Sequence, residues 1–349
     1  MKQSIAIAGR VIGTDQPPYV VAELSANHGG SLDRALELLD LAKEAAAHAV
    51  KLQTYTPDTL TIDHNSEDFR IQGGLWAGRR LFDLYREGQL PWEWHEALFA
   101  RGRALGITVF STPFDNTALD LLEELGAPAY KIASFEMIDL PLVRLVASTG
   151  KPTIISTGMA SPEEIGETVD AFRAAGGSEL ALLHCVSGYP TPVDQANIRR
   201  IPELSEQFAC PIGLSDHTLG TEVAIASVAL GACIIEKHFI RSRAEGGLDS
   251  AFSLEPAEFR ELARGVKSAF AALGTGTATR SEVEEANKIF RRSIYVIRDM
   301  AAGEAFTAKN VRIIRPGYGL APKHLDDILG RRAKRALQRG TRMSWDLLE

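Results

Sequence analysis

The chain has 349 residues, 45% of them hydrophobic, so it can bury a large core and exceeds a single ordinary enzyme barrel by about one small domain. Its formal net charge of -7 at pH 7 argues against general binding to nucleic acid or to an anionic membrane. The sequence shows neither a secretory signal nor an apolar run long enough to span a bilayer, and we therefore predict a cytoplasmic protein.

Eight short apolar runs end on polar or ionisable residues before a helix-like segment begins. In chain order they are YVVAEL, AVKLQTY, TVFSTP, AYKIAS, PTIISTG, LALLHC, PIGLSDHT and CIIEKHF. Buried parallel strands read as continuous apolar runs because helices cover both faces of the sheet, so polar residues gathered at one end need a separate reason. A (β/α)8 TIM barrel supplies that reason, since its active site lies at the carboxyl ends of the strands.

Segments with helical periodicity separate these runs. Ser31 can cap the first helix, whose apolar face includes Leu38 and Leu39. Further helices are predicted over 92–105, 116–125, 140–147, 162–175, 198–208, 221–230 and 256–273. Such alternation demands parallel pairing with crossover helices, and eight units suffice to close a sheet. An open doubly wound sheet is the structural alternative, but it would carry a Gly-rich phosphate loop, which Gly29 and Gly30 alone do not form.

The barrel pattern ends near Leu273. We predict a catalytic barrel over 1–274, a linker of small, polar and charged residues over 275–288, and a β-rich domain over 289–349. Because fewer than about 70 residues give a marginal core, the last domain is expected to pack on another surface, such as the barrel of a partner chain. Its basic cluster from Arg331 to Arg339 is interpreted as a solvated face.

The three cysteines are interpreted as small buried thiols. Cys185, Cys210 and Cys233 are odd in number, lie at or near strand positions and lack CxxC spacing. Those features disfavour a disulfide or a zinc site.

Two histidines follow neighbouring predicted strands. Side chains two residues apart on a strand point the same way, so Ser215 pairs with His217 and Glu236 with His238. If both pairs face the barrel mouth, two imidazoles and a carboxylate converge there. The two histidines, with Glu23 or water completing the shell, could hold Mn²⁺, Mg²⁺ or a similar ion. A general acid/base pair or a hydrogen-bonded core is an equal alternative for the histidines alone.

A second set of strand-end residues combines ammonium and hydroxyl groups. Its members are Lys51, Thr112, Lys131, Ser134, Ser156 and Ser215. These groups give charge-assisted hydrogen bonds to oxyanions, so the set suits a carboxylate and a phosphate on one small substrate. A buried Lys–Glu pair is the alternative for each lysine taken separately.

The connection from Thr56 to Pro91 is too long for an ordinary βα loop. Loops of this length are usually functional or disordered, and its aromatic residues favour a folded lid over the mouth. The alternative is an oligomer contact made by Trp92 and Trp94.

These motifs resemble the sialic acid synthase family, whose members condense phosphoenolpyruvate with an amino sugar. The matching pieces are VAELSANHGG, KLQTYTPDTL, STPFD, YKIASFE, IISTGMA, LLHCVSGYPTP, GLSDHTLG, LGACIIEKHF and RPGYGLAP. They cover most of the chain in order, and the tail resembles the antifreeze-like (SAF) domain of that family. GGLWAGRRLFDLY and PWEWH resemble the pseudaminic acid branch more than the N-acetylneuraminate or legionaminate branches.

The resemblance implies roles for individual positions. His217 and His238 would bind a divalent ion, Mn²⁺ or Mg²⁺, with Co²⁺ as a further candidate, and Glu23 and Glu136 would be the active-site carboxylates. The lysine and hydroxyl set would hold phosphoenolpyruvate. The remaining predicted substrate-binding residues are Gln53, Ser187, Tyr189, Asp249 and Arg315.

Two of these positions carry further expectations. Arg315 matches an arginine that reaches the acetamido sugar from the other subunit of a domain-swapped homodimer. Ser187 stands where N-acetylneuraminate synthases commonly have Asn, which fits a different acetamido pattern on the sugar.

Two other classes of function are alternatives to the synthase. A metal-dependent aldolase or isomerase acting on a sugar phosphate could also use strand-end Lys, His and Glu for enolisation, without phosphoenolpyruvate. A non-enzymatic ice- or carbohydrate-binding role of the tail is the third class. No nucleic acid or membrane partner is expected.

Overall fold

The computed structural model describes residues 4–349. The chain divides into two compact units, Met1–Gly274 and Thr275–Glu349. Across the described residues, no helix combines the length and the apolar character needed to cross a membrane.

The first unit contains a short antiparallel hairpin and an eight-stranded parallel barrel. The hairpin strands are β1 (Ser4–Ile7) and β2 (Arg10–Gly13). The barrel strands are β3 (Tyr19–Glu23), β4 (Ala49–Thr54), β5 (Thr108–Pro113), β6 (Tyr130–Ile132), β7 (Thr153–Ser156), β8 (Leu180–Cys185), β9 (Ile212–Asp216) and β10 (Ile234–His238). Each pairs in parallel with the next, and β10 closes the barrel against β3. The predicted TIM barrel is confirmed, and the open sheet is excluded.

Helices follow the barrel strands and cover them. In the first unit they are α1 (Leu32–Glu44), α2 (Pro57–Leu60), α3 (Leu81–Gly88), α4 (His95–Leu105), α5 (Asn116–Glu124), α6 (Leu140–Ser148), α7 (Pro162–Ala174), α8 (Arg200–Phe208), α9 (Glu222–Ala229) and α10 (Pro256–Leu273). The predicted cap of α1 is present, because the Ser31 side chain accepts a hydrogen bond from the Arg34 N–H at 3.3 Å. Apolar faces such as Leu38 and Leu39 of α1 pack into the layer between helices and strands.

The hairpin closes the floor of the barrel and was not predicted. Its buried side chains Ile5, Ile7 and Ile12 join Tyr19 and Phe110 in a separate apolar cluster inside the barrel. Burial of these isoleucines removes apolar surface from water at the amino ends of the strands. The carboxyl ends are thereby left as the open end of the barrel.

The second unit is small and β-rich, as predicted. Its strands β11 (Ser293–Val296) and β12 (Val311–Ile314) pair antiparallel, and α12 (Leu325–Ile328) lies on its core. The segment predicted as a linker contains α11 (Glu282–Ala286). This helix forms because Ser281 and Glu284 complete a capping box, a local signal that the small-residue composition concealed.

Candidate active site

Strand register gathers the predicted side chains at the carboxyl ends of the barrel. Glu23 of β3 lies beside His238 of β10 on one side and Lys51 of β4 on the other, and Ser215 of β9 lies beside Glu236. These positions are buried. Residues from strands far apart in the sequence therefore share one rim, which is where barrel enzymes place their chemistry.

Two carboxyl groups and two ammonium groups form a buried cluster at the centre of this rim. Lys51 Nζ lies 2.6 Å from Glu23 Oε2 and 3.6 Å from Glu236 Oε1, and Lys131 Nζ lies 4.0 Å from that Glu236 oxygen. The exposed fractions of the four side chains are between 1% and 6%. Buried charges persist only when paired, so the opposite signs stabilise one another.

The cluster shifts the pKa values of its members in different directions. Burial alone would raise the pKa of Glu236, but Lys131 and Lys51 hold it below its ordinary value. Burial raises the pKa of Glu23, and the charge of Glu236 adds to that rise against the opposing effect of Lys51. Burial lowers the pKa of Lys131, whereas the two carboxylates outweigh burial and raise the pKa of Lys51. Glu236 is thus the firmly ionised carboxylate.

Hydroxyl and amide groups surround the charge cluster. Lys131 Nζ donates to Ser156 Oγ at 2.7 Å, Ser215 Oγ donates to Glu236 Oε1 at 3.0 Å, and Gln53 Nε2 donates to Glu23 Oε1 at 2.8 Å. The buried Thr112 Oγ1 has no hydrogen-bond partner among the described residues. Buried polar atoms without partners are rare in folded proteins, so this hydroxyl is free to bond a ligand.

Ser134 lies beside the same rim, packed against a glycine in the left-handed region. Gly158 has a φ of 48°, and a Cβ there would lie 2.4 Å from the Ser134 Cβ. Any larger residue at Gly158 would displace Ser134 and crowd Ser187. The close backbone approach fixes both hydroxyl-bearing residues at the mouth.

The two histidines fit a divalent cation as a pair of ligands. Their ring centroids lie 5.4 Å apart, and the buried His238 Nδ1 forms no hydrogen bond within the part of the chain described. His217 Nδ1 lies 3.0 Å from the Val186 carbonyl oxygen, an arrangement that leaves Nε2 with the lone pair in the neutral ring. Burial, reinforced by the positive charge of His217, puts the pKa of His238 well below its ordinary value, which keeps a ligating lone pair available.

His217 and His238 are the two imidazoles at the mouth among the described residues. Across residues 4–349, no group of three or more His, Cys, Asp or Glu side chains has the geometry of a metal site. Any remaining ligands of an ion held there would come from water or substrate, as in catalytic metal sites with open positions.

Cys185 belongs to this site and was missed as a functional candidate. The prediction of a buried free thiol is confirmed for all three cysteines, but Cys185 Sγ also lies 3.8 Å from His217 Nδ1. Although burial opposes it, Cys185 and the Val186 carbonyl raise the pKa of His217. A divalent ion would then compete with a proton for the His217 lone pair. The strand-end position of Cys185 was the one available signal.

Aromatic rings line the outer side of the histidines. The Tyr189 ring lies 4.4 Å from that of His217, and the Phe252 ring lies 4.8 Å from that of His238. Asp249 is buried beside them, with its Oδ2 3.6 Å from His238 Nδ1. Ser187 Oγ, also buried, has no hydrogen-bond partner in the described chain. Apolar faces with a few convergent polar atoms are typical of small-molecule sites.

The long connection before α4 is folded. It contains α2 and α3, and its Trp76 donates from Nε1 to the Leu248 carbonyl at 3.1 Å. The Trp76 ring also lies 5.7 Å from that of Tyr189. Trp92 and Trp94 contact Tyr55 and His28 of the same chain. The segment therefore reaches the aromatic side of the mouth, and its role as a lid stays a prediction.

Glu136 lies on the loop after β6. Burial raises its pKa to about 7, and its Oε2 has no hydrogen-bond partner among residues 4–349. Glu23, by contrast, forms an ion pair with Lys51 through Oε2 and accepts a hydrogen bond from Gln53 at Oε1. A carboxyl group that is half ionised near neutral pH is suited to proton transfer.

Arg315 lies in the second unit as an exposed residue at the end of β12. Its predicted contribution to a sugar site stays a prediction. Glu236 is the reverse case: the sequence predicts that it faces the barrel mouth with His238, but not that it pairs with two lysines. Its central place depends on the side chains of three other strands, which no local signal reports.

The fold and the site define a (β/α)8-barrel enzyme with a cation- and hydroxyl-lined mouth, followed by a small β-rich domain. The NeuB family profile matches residues 38–293, and the SAF domain profile matches residues 291–349. The chain therefore belongs to the NeuB family.

Named relatives agree with this assignment. The chain is 42% identical to the pseudaminic acid synthase of Campylobacter jejuni, over 94% of this chain and 95% of the relative. It is 42% identical to the pseudaminic acid synthase of Helicobacter pylori, over 96% and 98% of the two chains. The crystal structure of an N-acetylneuraminic acid synthetase from Leptospira borgpetersenii superposes with a TM-score of 0.74 at 33% identity, covering 82% of this chain and 95% of that one.

The charge cluster predicts a large stability cost for losing one carboxylate. Glu236→Gln leaves Lys51 and Lys131 buried with one fewer counter-charge, and we expect a loss of about 3 kcal/mol or more in the free energy of unfolding. Glu203→Gln, which removes an exposed ion pair with Arg200, should cost less than about 1 kcal/mol. Chemical denaturation of both variants measures the difference, and equal costs would contradict the assigned role of Glu236.

Proposed function

We propose that the protein is a phosphoenolpyruvate-dependent nonulosonic acid synthase that makes pseudaminic acid. It condenses phosphoenolpyruvate with 2,4-diacetamido-2,4,6-trideoxy-L-altrose and releases phosphate. The observation that carries the proposal is 42% identity to pseudaminic acid synthases over nearly the whole chain, against 33% to a structurally solved N-acetylneuraminic acid synthetase.

The charge cluster and its hydroxyls suit phosphoenolpyruvate. Lys51 and Lys131 supply the positive charge for its carboxylate and phosphate, and the hydroxyls supply directed hydrogen bonds. The proposed ligands are Lys51, Thr112, Lys131, Ser134, Ser156 and Ser215. The aromatic side of the mouth, with Gln53, Ser187, Tyr189 and Asp249, would face the sugar.

The proposed reaction begins when C3 of phosphoenolpyruvate attacks the aldehyde carbon of the open-chain sugar. Positive charge then develops at C2, where the nearby carboxylate of Glu23 stabilises it. Water adds at C2 and loses a proton, while the former aldehyde oxygen gains one. The adduct expels phosphate by cleavage of the C2–O bond and leaves a 2-keto acid. Lys51 and Lys131 stabilise the departing dianion.

His217 and His238 would hold a divalent ion at the aldehyde side of the site. When bound, such an ion polarises the aldehyde carbonyl and makes its carbon electrophilic. Residues of the chain hold the sugar next to the enol carbon of phosphoenolpyruvate. Most of the rate gain from orientation arises from this positioning.

Glu136 is assigned as the general base that accepts the proton of the attacking water. Its Oε2 is buried and has no hydrogen-bond partner in the described structure, whereas Glu23 is ion-paired with Lys51 and hydrogen-bonded to Gln53. Because its pKa is raised to about 7, Glu136 is ionised above that pH and can accept a proton there.

A phosphate-release assay with a panel of sugars tests the proposal. Release should require phosphoenolpyruvate and should be fastest with the 2,4-diacetamido-L-altrose substrate. N-acetylmannosamine and the legionaminate precursor, which test the two sibling activities, should react much more slowly. Turnover of a sugar phosphate without phosphoenolpyruvate would instead identify an aldolase or isomerase.

The same assay tests the metal requirement. A chelator should abolish phosphate release, and added Mn²⁺, Mg²⁺ or Co²⁺ should restore it to an extent that ranks the ions. Undiminished activity of the metal-free protein would remove the role proposed for His217 and His238.

The assignment of Glu136 predicts a specific pH dependence. Because the ionised form is the base, kcat should fall as the pH drops through about 7. Glu136→Gln should lower kcat by roughly 100-fold or more and abolish this acidic limb. A Gln variant with the same pH profile as the original chain would show that another group titrates.

A domain-swapped homodimer would bring Arg315 to the sugar site of its partner. Arg315→Ala and Lys51→Ala chains should each be inactive alone, yet chains mixed at random should recover about a quarter of full activity, because half of the dimers have one intact site. Arg312→Ala, at an exposed arginine of the same strand, is the matched control and should stay active. Failure of the mixture to recover activity would contradict contribution in trans.

A further inference from the structure

A second basic cavity lies at the opposite end of the barrel from the proposed active site. We call it the floor cavity: it is lined by Arg10, Val20, His48, Arg260, Arg264 and Lys267, with prolines and other small residues completing the wall. Val20 is the second residue of β3, and His48 immediately precedes β4, so the cavity lies at the amino ends of these strands. Its volume is about 470 Å³, which is within the range of small-molecule pockets.

The charges around the floor cavity have one sign. Four of its lining side chains are cationic, and none of the described residues that line it is acidic. The four cations are Arg10, Arg260, Arg264 and Lys267. None of them forms a salt bridge in the part of the chain the structure describes, although the protein as a whole has a net charge of -7. The positive charge around the cavity is therefore local, and no described acidic side chain lies within ion-pair distance of it.

Three of these cations form a stripe along α10. Arg260, Arg264 and Lys267 are spaced at i, i+4 and i+7, which places them on one face of the helix. Like charges four residues apart on a helix repel one another, so the stripe lowers the stability of α10 unless an anion lies between the charges. All three residues are exposed, which leaves their charged groups free to move onto a ligand.

Arg10 and His48 face the stripe from the barrel side. Arg10 is partly buried, with its guanidinium carbon 5.3 Å from the centre of the Tyr19 ring, and burial lowers its pKa. His48 Nδ1 accepts the Val20 N–H at 2.9 Å, and burial lowers the pKa of His48 to about 4. The neutral ring therefore carries its proton on Nε2, which adds an uncharged donor to the cationic wall.

We propose that the floor cavity binds a small molecule that carries a diphosphate or longer phosphate chain. Three arginines can each form paired hydrogen bonds with phosphate oxygens, and several cations in one concave site match a ligand with at least two negative charges. The apolar wall formed by Val20, Pro17 and Pro18 can cover an uncharged part of the molecule. A concave site suits a small ligand better than a nucleic acid or a membrane surface, which need extended contact.

The site is separate from the proposed active site. Val20 and Glu23 lie on the same strand, but Glu23 is at its carboxyl end, where the substrates of the synthase would bind. The proposal therefore does not depend on the proposed synthase activity.

Calorimetric measurement of inorganic pyrophosphate binding to the full-length chain tests the proposal. The paired substitution Arg260→Gln with Arg264→Gln should weaken pyrophosphate binding by at least tenfold. It should leave kcat and the KM for phosphoenolpyruvate unchanged. The matched control is Arg103→Gln with Arg144→Gln, two exposed arginines on other helices of the same unit, and it should bind as the original chain does. Raising the salt concentration should weaken the binding, because exposed charges are screened.

Four results would overturn the proposal. Equal pyrophosphate affinity in all three proteins would place the ligand elsewhere, and loss of all binding in the Lys51→Ala variant would place it in the mouth of the barrel. Binding of inorganic phosphate as tightly as pyrophosphate would show that the cavity does not select a phosphate chain. Tighter binding of vesicles with anionic phospholipid than of pyrophosphate, lost in the Arg260 and Arg264 variant, would assign the stripe to a membrane surface instead.

Discussion

The balance of buried charge among Glu23, Lys51, Lys131 and Glu236 is the constraint on which the rest of the site depends. An isolated ammonium group in a barrel interior would lose its hydration and its proton, so two buried lysines require carboxylates within a few ångströms. Strand register places Glu23 beside Lys51, and Glu236 Oε1 lies 3.6 Å from Lys51 Nζ and 4.0 Å from Lys131 Nζ. A slip of one residue would send these side chains to the helix layer.

A second buried ion pair lies on the opposite face of β9 and β10. Lys237 Nζ lies 2.7 Å from Asp216 Oδ2, and both residues alternate with the inward-facing members of β9 and β10. Asp216 also accepts from the Thr218 hydroxyl and backbone N–H, so this pair is well bonded. Charge pairs on both faces therefore fix the strand ends that carry His217 and His238, at a desolvation cost that apolar residues would avoid.

The mouth retains polar atoms that the protein itself does not satisfy. Thr112 Oγ1, Ser187 Oγ, Glu136 Oε2 and His238 Nδ1 are all buried, without hydrogen-bond partners in the described structure. Each costs stability, and all four residues lie at or just after the carboxyl ends of barrel strands. Groups that are desolvated and oriented before the substrate arrives need little reorganisation during the reaction, which is the physical basis of electrostatic catalysis. The rigid barrel tolerates this local cost because its core is large.

Sequence patterns alone were enough to predict the barrel, its eight strands with their main helices, and the polar residues at the strand ends. Those features depend on apolar periodicity and local caps such as Ser31, which neighbouring residues encode. Which of the polar residues touch one another became clear from the three-dimensional fold. Glu236 became the centre of the charge cluster, Cys185 became a neighbour of His217, and the hairpin became the barrel floor. The floor cavity likewise joins Arg10 to Arg260. Such contacts join segments far apart in the chain, and they depend on strand register and closure of the sheet, which local patterns do not specify.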